Sequence, residues 1–305
     1  MLSPNRALKT TEEIALQIFL LCQFGVGTVA NVLLFVCNFS PILTDSQLRS
    51  VRILLMNLAV ANFLILLLLA ALNNMTVFVL RKPPSNLTCK LGYFFYLVAR
   101  GTNLCSTCVL STYQFVTLVP GNCCRVMHRQ RFPKMVSFSS CSCWLFNVLN
   151  SVYIPMKVTG PRNIGNDTDS KSKWVCSTFG FSTEMSFLRF VYDTMFISIM
   201  VWTSVSMVIL LNRHHQRLQH IHTLNQNRRS YAETRAAHTI LMLVTAFLSF
   251  YLLDCICTFF HISFVDSRLW LRDVKSVLAA SFPTISPLLL IFRYPKYPCP
   301  VLFSC

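Results

Sequence analysis

Long runs without a charged side chain constrain this chain more than any other feature. Residues 14–44, 53–80, 136–156 and 276–292 contain no Asp, Glu, Lys or Arg. Three further stretches hold one such residue each: Arg100 within 91–124, Asp193 within 190–212 and Asp254 within 236–265. A helix needs about 20 mostly apolar residues to cross the hydrocarbon core of a bilayer. The pattern therefore predicts an all-α membrane protein, a seven-transmembrane-helix bundle forming one domain over residues 1–305. The expected spans are 14–38, 53–72, 91–118, 136–155, 190–211, 238–262 and 276–292. Residues 1–13 are polar and the run after them is too long for a signal-peptide core, so the first span is expected to stay as a signal-anchor helix.

The formal charge of +16 raises the question of a nucleic-acid partner. Its basic residues are scattered between apolar spans and form no single stripe, so no nucleic acid is expected to bind. They also do not orient the chain, because the two sets of loops hold equal numbers of them. Glycosylation signals and cysteines orient it instead. Asn86-Leu-Thr88 and Asn166-Asp-Thr168 fit the acceptor pattern and lie on one face of the membrane, with Asn74-Met-Thr76 near the end of the second span. Cys89 and Cys176 fall on that same face, where an oxidising compartment permits a disulfide. With 14 cysteines, counting alone assigns no pairing. The expectation is an N-terminus outside, a C-terminus inside, and a plasma-membrane location. Cys176 lies in the loop after span four and can reach Cys89 at the top of span three.

That orientation makes the segment from Arg213 to Tyr251 an inner loop with its re-entry helix. It is basic, carrying Arg213, Arg217, Arg228, Arg229 and Arg235 against a single acid, Glu233. Together with Arg125 in the preceding inner loop, Arg213, Arg228, Arg229 and Arg235 are candidate contacts for a cytoplasmic partner. Cys123, Cys124, Cys299 and Cys305 lie near the same face and are candidate sites for membrane lipid attachment.

Charges inside spans need a reason. Arg100 stands eleven residues past Cys89, about 16 Å deep at 1.5 Å per residue. A charge there costs at least a few kcal/mol and should face the bundle interior. It is either a ligand-pocket residue or half of a structural pair, with Asp193 or a polar neighbour such as Asn103 as partner. Asp254 and His261 in span six could line the same pocket. Asn31, Asn57 and Asn62 are expected to hydrogen-bond between helices. Cys105-Ser-Thr-Cys108, Cys141/Cys143 and Cys255/Cys257 have metal-like spacings, but inside apolar helices they are expected to pack as small hydrophobes. The four histidines from 214 to 222 read as a solvated basic face. No catalytic constellation, metal cluster or cofactor motif is recognisable, so no enzyme is expected.

Several stretches resemble the vomeronasal type 1 pheromone receptors, a family of seven-helix G-protein-coupled receptors. The likeness is strongest from Met207 to Tyr251, in RHHQRLQHIHT and AETRAAHTIL. Arg100-Gly101 with CSTCVLSTYQ from Cys105 resembles the family's third helix, and Asp193 with MVWTSVSMV from Met200 its fifth. Pro155-Met-Lys-Val-Thr-Gly160, the sequon at Asn166 and Cys176-Ser177 resemble its second outer loop. Phe282-Pro-Thr-Ile-Ser-Pro287 stands where helix seven has its proline motif. The departures are Tyr96-Leu97 where the family usually has His-Arg, Cys123-Cys124-Arg125 at the inner end of helix three, and Tyr231-Ala232-Glu233 in the third inner loop.

The resemblance implies a chemosensory receptor for small pheromone-like molecules that signals through a heterotrimeric G protein of the inhibitory class. Bitter-taste-type receptors are the nearest alternative. A transporter or channel fits less well, because no internal repeat is visible and seven spans do not divide into equal halves. A divergent, non-functional receptor is the remaining alternative.

Overall fold

The computed structural model describes residues 4–39, 49–72, 85–119, 132–159, 177–178, 183–218, 224–263 and 268–293. Seven long helices run through them: α1 (Pro4–Phe39), α2 (Arg49–Leu72), α3 (Asn86–Leu118), α4 (Phe132–Ser151), α5 (Thr183–Leu218), α6 (Leu224–Ser263) and α7 (Arg268–Arg293). Each of the seven charge-poor runs overlaps one of these helices. The fourth helix ends at Ser151, short of residue 155, because Pro155 has no N–H to give to the carbonyl of Ser151 and its ring would clash there; Pro155 instead sits in the first turn of a separate helical segment, Ile154–Lys157. That turn leads into β1 (Val158–Thr159), which pairs antiparallel with β2 (Ser177–Thr178).

Five of the seven helices are long and apolar enough by composition alone to cross a membrane: α1, α2, α5, α6 and α7. The two others are more polar for different reasons. In α3 every residue from Leu97 to Cys108 except Arg100 is buried, so this helix faces protein on all sides and needs no apolar surface. In α4, Ser140, Asn147 and Ser151 point inward while Phe138, Leu145, Phe146 and Leu149 are exposed. The same inside-out distribution marks α1, with Val26, Val29, Val32 and Val36 exposed, and α5, with Trp202, Val205 and Ile209 exposed. An apolar belt of this kind is suited to lipid.

Leu54, Leu55 and Leu58 of α2, Leu104 and Leu110 of α3, Met200 and Met207 of α5, Ile240 and Leu243 of α6, and Leu290 of α7 form the apolar core. Amide and hydroxyl groups stitch the same helices together. Pro287 has no N–H to give to the carbonyl of Pro283 one turn earlier. Asn31 of α1 fills that vacancy, its Nδ2 donating to Pro283 O at 2.9 Å and to Gly27 O at 2.8 Å. Asn62 of α2 donates to Ser286 Oγ at 2.9 Å and accepts from Asn103 of α3. Asn57 donates to Ser106 Oγ at 2.9 Å and accepts from the indole of Trp144 in α4. Gly27 makes the α1–α7 approach possible: a Cβ there would lie 2.7 Å from Leu66 Cδ1, 2.8 Å from Thr284 Oγ1 and 3.3 Å from Thr284 Cα.

One expectation about the cysteines is corrected. Cys105 of α3 and Cys143 of α4 are joined by a disulfide, with their Cα atoms 6.0 Å apart, and do not merely pack. The helices come this close because residue 101, one turn earlier on α3, is glycine; a Cβ at Gly101 would collide with the side chain of Asn147. Cys108, Cys141, Cys255 and Cys257 are free thiols.

Candidate ligand-binding site

The three isolated charges of the spans converge. Arg100 of α3, Asp193 of α5 and Asp254 of α6 line one cavity, with Phe247 and Tyr251 of α6 and Phe282 of α7 as its aromatic wall. Each is positioned by the period of its helix. Phe247, Tyr251 and Asp254 follow one another at intervals of four and three residues, so α6 turns all three to the same side. The cavity is about 70 Å³, room for roughly five water molecules. It lies toward the end of the bundle that carries Cys89.

Arg100 is paired, but not with Asp193. Its Nη2 lies 2.9 Å from Asp254 Oδ2, and its guanidinium sits 5.7 Å from the centre of the Tyr251 ring. This is the one ion pair among the described residues. The Tyr251 hydroxyl donates to Asp193 Oδ2 at 2.9 Å. Asp193 thus anchors a phenol, and Tyr251 links α5 to the Arg100–Asp254 pair. Asn103 is committed to Asn62 at the base of the cavity and plays no part in neutralising Arg100. The desolvation cost of a charge at this depth is met by a carboxylate from a different helix and by the negative face of an aromatic ring. Below Tyr251, Phe247 stacks with it at 6.2 Å and meets Phe282 edge-on at 4.9 Å. The result is an apolar floor beneath a charged ceiling, an arrangement that orients a small amphiphilic molecule.

Arg189 of α5 and Tyr96 of α3 also line the cavity; Arg189 does not stand out in the sequence, and Tyr96 does so only as a departure from the family pattern. Arg189 borders an apolar run and reads as a flanking charge. Its position four residues before Asp193, on the same helix face, was the available signal. Tyr96 occupies the place of a family departure, and its one-turn spacing from Arg100 puts both on one face.

The other candidates lie elsewhere. Cys89, in the first turn of α3, is buried and disulfide-bonded, and packs with Leu97, Ile154 and Val158 of β1. Asn86, the first residue of α3, is exposed. Ser85 caps this helix by accepting from Thr88 N at 3.1 Å. At the opposite end, Arg213 near the end of α5 and Arg235 of α6 are exposed, and Arg228 and Arg229 belong to the first two turns of α6. Asn74, Asn166, Cys176, Arg125 and the four candidate lipid-attachment cysteines lie outside the described residues.

Comparison with known proteins agrees with this architecture. Residues 14–298 match the vomeronasal organ pheromone receptor family. Human vomeronasal type-1 receptor 4 is 32% identical over 276 residues, covering 89% of this chain and 92% of that protein. Human vomeronasal type-1 receptor 1 is 32% identical over 275 residues, covering 89% and 78%. The zebrafish (Danio rerio) olfactory receptor class A-like protein 1 is 26% identical over 277 residues, covering 89% and 86%. With its seven helices and a match over nearly its whole length, this chain belongs to the vomeronasal organ pheromone receptor family and is a multi-pass membrane receptor of chemosensory type.

Proposed function

We propose that the chain is a G-protein-coupled receptor for small pheromone-like molecules, bound in the cavity between Arg100, Asp193 and Asp254. The observation that carries this reading is the convergence of the three span charges on one aromatic-walled cavity, apart from the amide network of Asn31, Asn57, Asn62 and Asn103 that joins the helices. In this reading the Cys89 end faces outward, with the N-terminus, and the Arg213 end and C-terminus face the cytoplasm. Cys176 is the partner of Cys89: it immediately precedes β2, whose pairing with β1 brings that strand beside the Val158 that packs on Cys89. Asn86, Asn166 and Asn74 would be glycosylated on the same face.

Ligand entry acts on α6 because α6 carries both Asp254, bonded to α3, and Tyr251, bonded to α5. A ligand that fits one arrangement of these helices better than another shifts the balance between them. The readout is the basic end of α5 and α6, where Arg213, Arg228, Arg229 and Arg235, with Arg125, would meet a heterotrimeric G protein of the inhibitory class.

The test is a small-molecule panel applied to cells expressing the receptor with a broadly coupling G protein. A responsive ligand is expected to lose potency by about tenfold or more when Phe247 is replaced by Ala, which removes a buried aromatic wall. It should lose maximal response, at equal surface level, when Arg228, Arg229 and Arg235 become Ala. Unchanged potency in the first variant would remove the cavity from the reading, and unchanged response in the second would remove the loop.

A further inference from the structure

Of the four ionised side chains that line the cavity, three have partners. Arg100 is held by Asp254, and Asp193 accepts the Tyr251 hydroxyl. Arg189 alone has no ion-pair partner among the described residues, and its one hydrogen bond, from Nη2 to the carbonyl of Leu97, is long at 3.4 Å. Asp193 lies one turn further along the same helix, the spacing at which the two could pair, yet Asp193 is turned to Tyr251. A guanidinium carries five N–H donors in a planar fork. This one presents most of them unused to a cavity whose floor is Phe247 and Phe282.

We infer that Arg189 is the polar anchor of the ligand site and that the ligand carries an oxygen acceptor, a carbonyl or carboxylate, on a small apolar body. This inference rests on the cavity being the ligand site. It moves the anchoring role from Arg100, whose charge is already neutralised, to a residue at the cavity's edge on α5. Donor-only ligands have little to offer here: an ammonium group would face Arg189 directly and would have to displace Arg100 or Tyr251 to reach a carboxylate. The carbonyl and carboxylate cases share the same bond to Arg189 and differ in charge. The four side chains balance, two positive and two negative, so a neutral acceptor leaves that balance intact while an anion adds to the negative side.

The experiment uses the full-length receptor in lipid nanodiscs and four probes of matched size: 2-pentanone, butanoate, butylammonium and pentane. Binding is read as a concentration-dependent rise in melting temperature, with affinities on the order of millimolar for ligands of about six heavy atoms. At least one of the two acceptor probes should bind tenfold or more tightly than butylammonium and pentane. Arg189→Met should lower that acceptor's affinity at least tenfold, Arg189→Lys should retain part of it, and pentane binding should be unchanged. Without ligand, Arg189→Met should melt no lower than wild type, because it removes an unpaired charge. The better acceptor tells a neutral carbonyl ligand from an anionic one. Equal acceptor affinity in wild type and Arg189→Met, or no binding by either acceptor probe, would overturn the inference. Ala279→Phe, which fills the cavity, separates the two readings. Acceptor binding that survives it refutes the cavity itself, whereas binding that is lost with Ala279→Phe but kept with Arg189→Met refutes only the role of Arg189.

Discussion

Two polar regions share this bundle and are built on different principles. The lower one, through Asn31, Asn57, Asn62, Asn103, Ser106 and Ser286, uses neutral groups in short bonds between α1, α2, α3, α4 and α7. Beside it lie the Cys105–Cys143 disulfide and the glycines that let backbones approach. The upper one uses charges and phenols on α3, α5 and α6, with a cavity among them. The neutral network fixes helices whose partners are set by backbone proximity. The charged one joins helices through long side chains that can exchange partners without a change in backbone position. A rigid base and an adjustable mouth are what a receptor requires.

The largest expected effect sharpens the rigid half. Gly27→Leu drives a side chain into Leu66 and the Thr284 backbone. It should exceed the 1–3 kcal/mol of ordinary overpacking and cut surface receptor by about tenfold or more, read by surface biotinylation. Next, replacing Cys105 and Cys143 together by Ser removes a cross-link over 38 residues. This should cost about 2–4 kcal/mol on loop-entropy grounds, read as a fall in melting temperature, and non-reduced peptide mapping of the wild type should recover the linked pair.

The adjustable half breaks differently. Asp254→Ala strands Arg100, and because that side chain is 32% exposed the cost should be about 2 kcal/mol, below the 3–5 of a fully buried pair. Arg100→Met with Asp254→Leu should recover most of the loss, measured in the same melting assay. If the double variant is as unstable as the single one, the pair is not what makes α6 depend on α3. Asn31→Ala, leaving the Pro283 carbonyl bare, should cost about 1 kcal/mol, with no rescue available by charge removal. Tyr251→Phe should be the mildest, about 0.6 kcal/mol in melting, yet it should change ligand potency more than Asn31→Ala does. The reverse ranking in potency would erase the distinction between the two regions.

Much of the architecture was legible in the chain because charge-free runs of about 20 residues have few other uses. The three pocket charges were visible for the same reason, since a lone Arg100, Asp193 or Asp254 in such a run demands a partner. Which partner was not legible. Pairing depends on how helices are rotated and arranged around α3, and sequence separation carries no information about that; hence Asp254 holds Arg100, where Asp193 or a polar neighbour such as Asn103 were the partners considered. The Cys105–Cys143 bond was hidden likewise, because each cysteine reads as packing on its own helix and only the contact at Gly101 brings them together. Arg189 escaped notice because a charge at the end of an apolar run is ordinary until its surroundings are known.

The length of α6 has a mechanical consequence. It is one continuous helix from Leu224 to Ser263, with Tyr251 and Asp254 near one end and Arg228, Arg229 and Arg235 toward the other. At 1.5 Å per residue, the arm from Tyr251 to Leu224 is about 40 Å long. A swing of about 10° at the aromatic wall, pivoting there, displaces the far tip by roughly 7 Å over that arm. α6 is therefore a lever of unequal arms, and a change at its short end smaller than the width of a methyl group becomes a displacement at its long end that can open or close a binding surface.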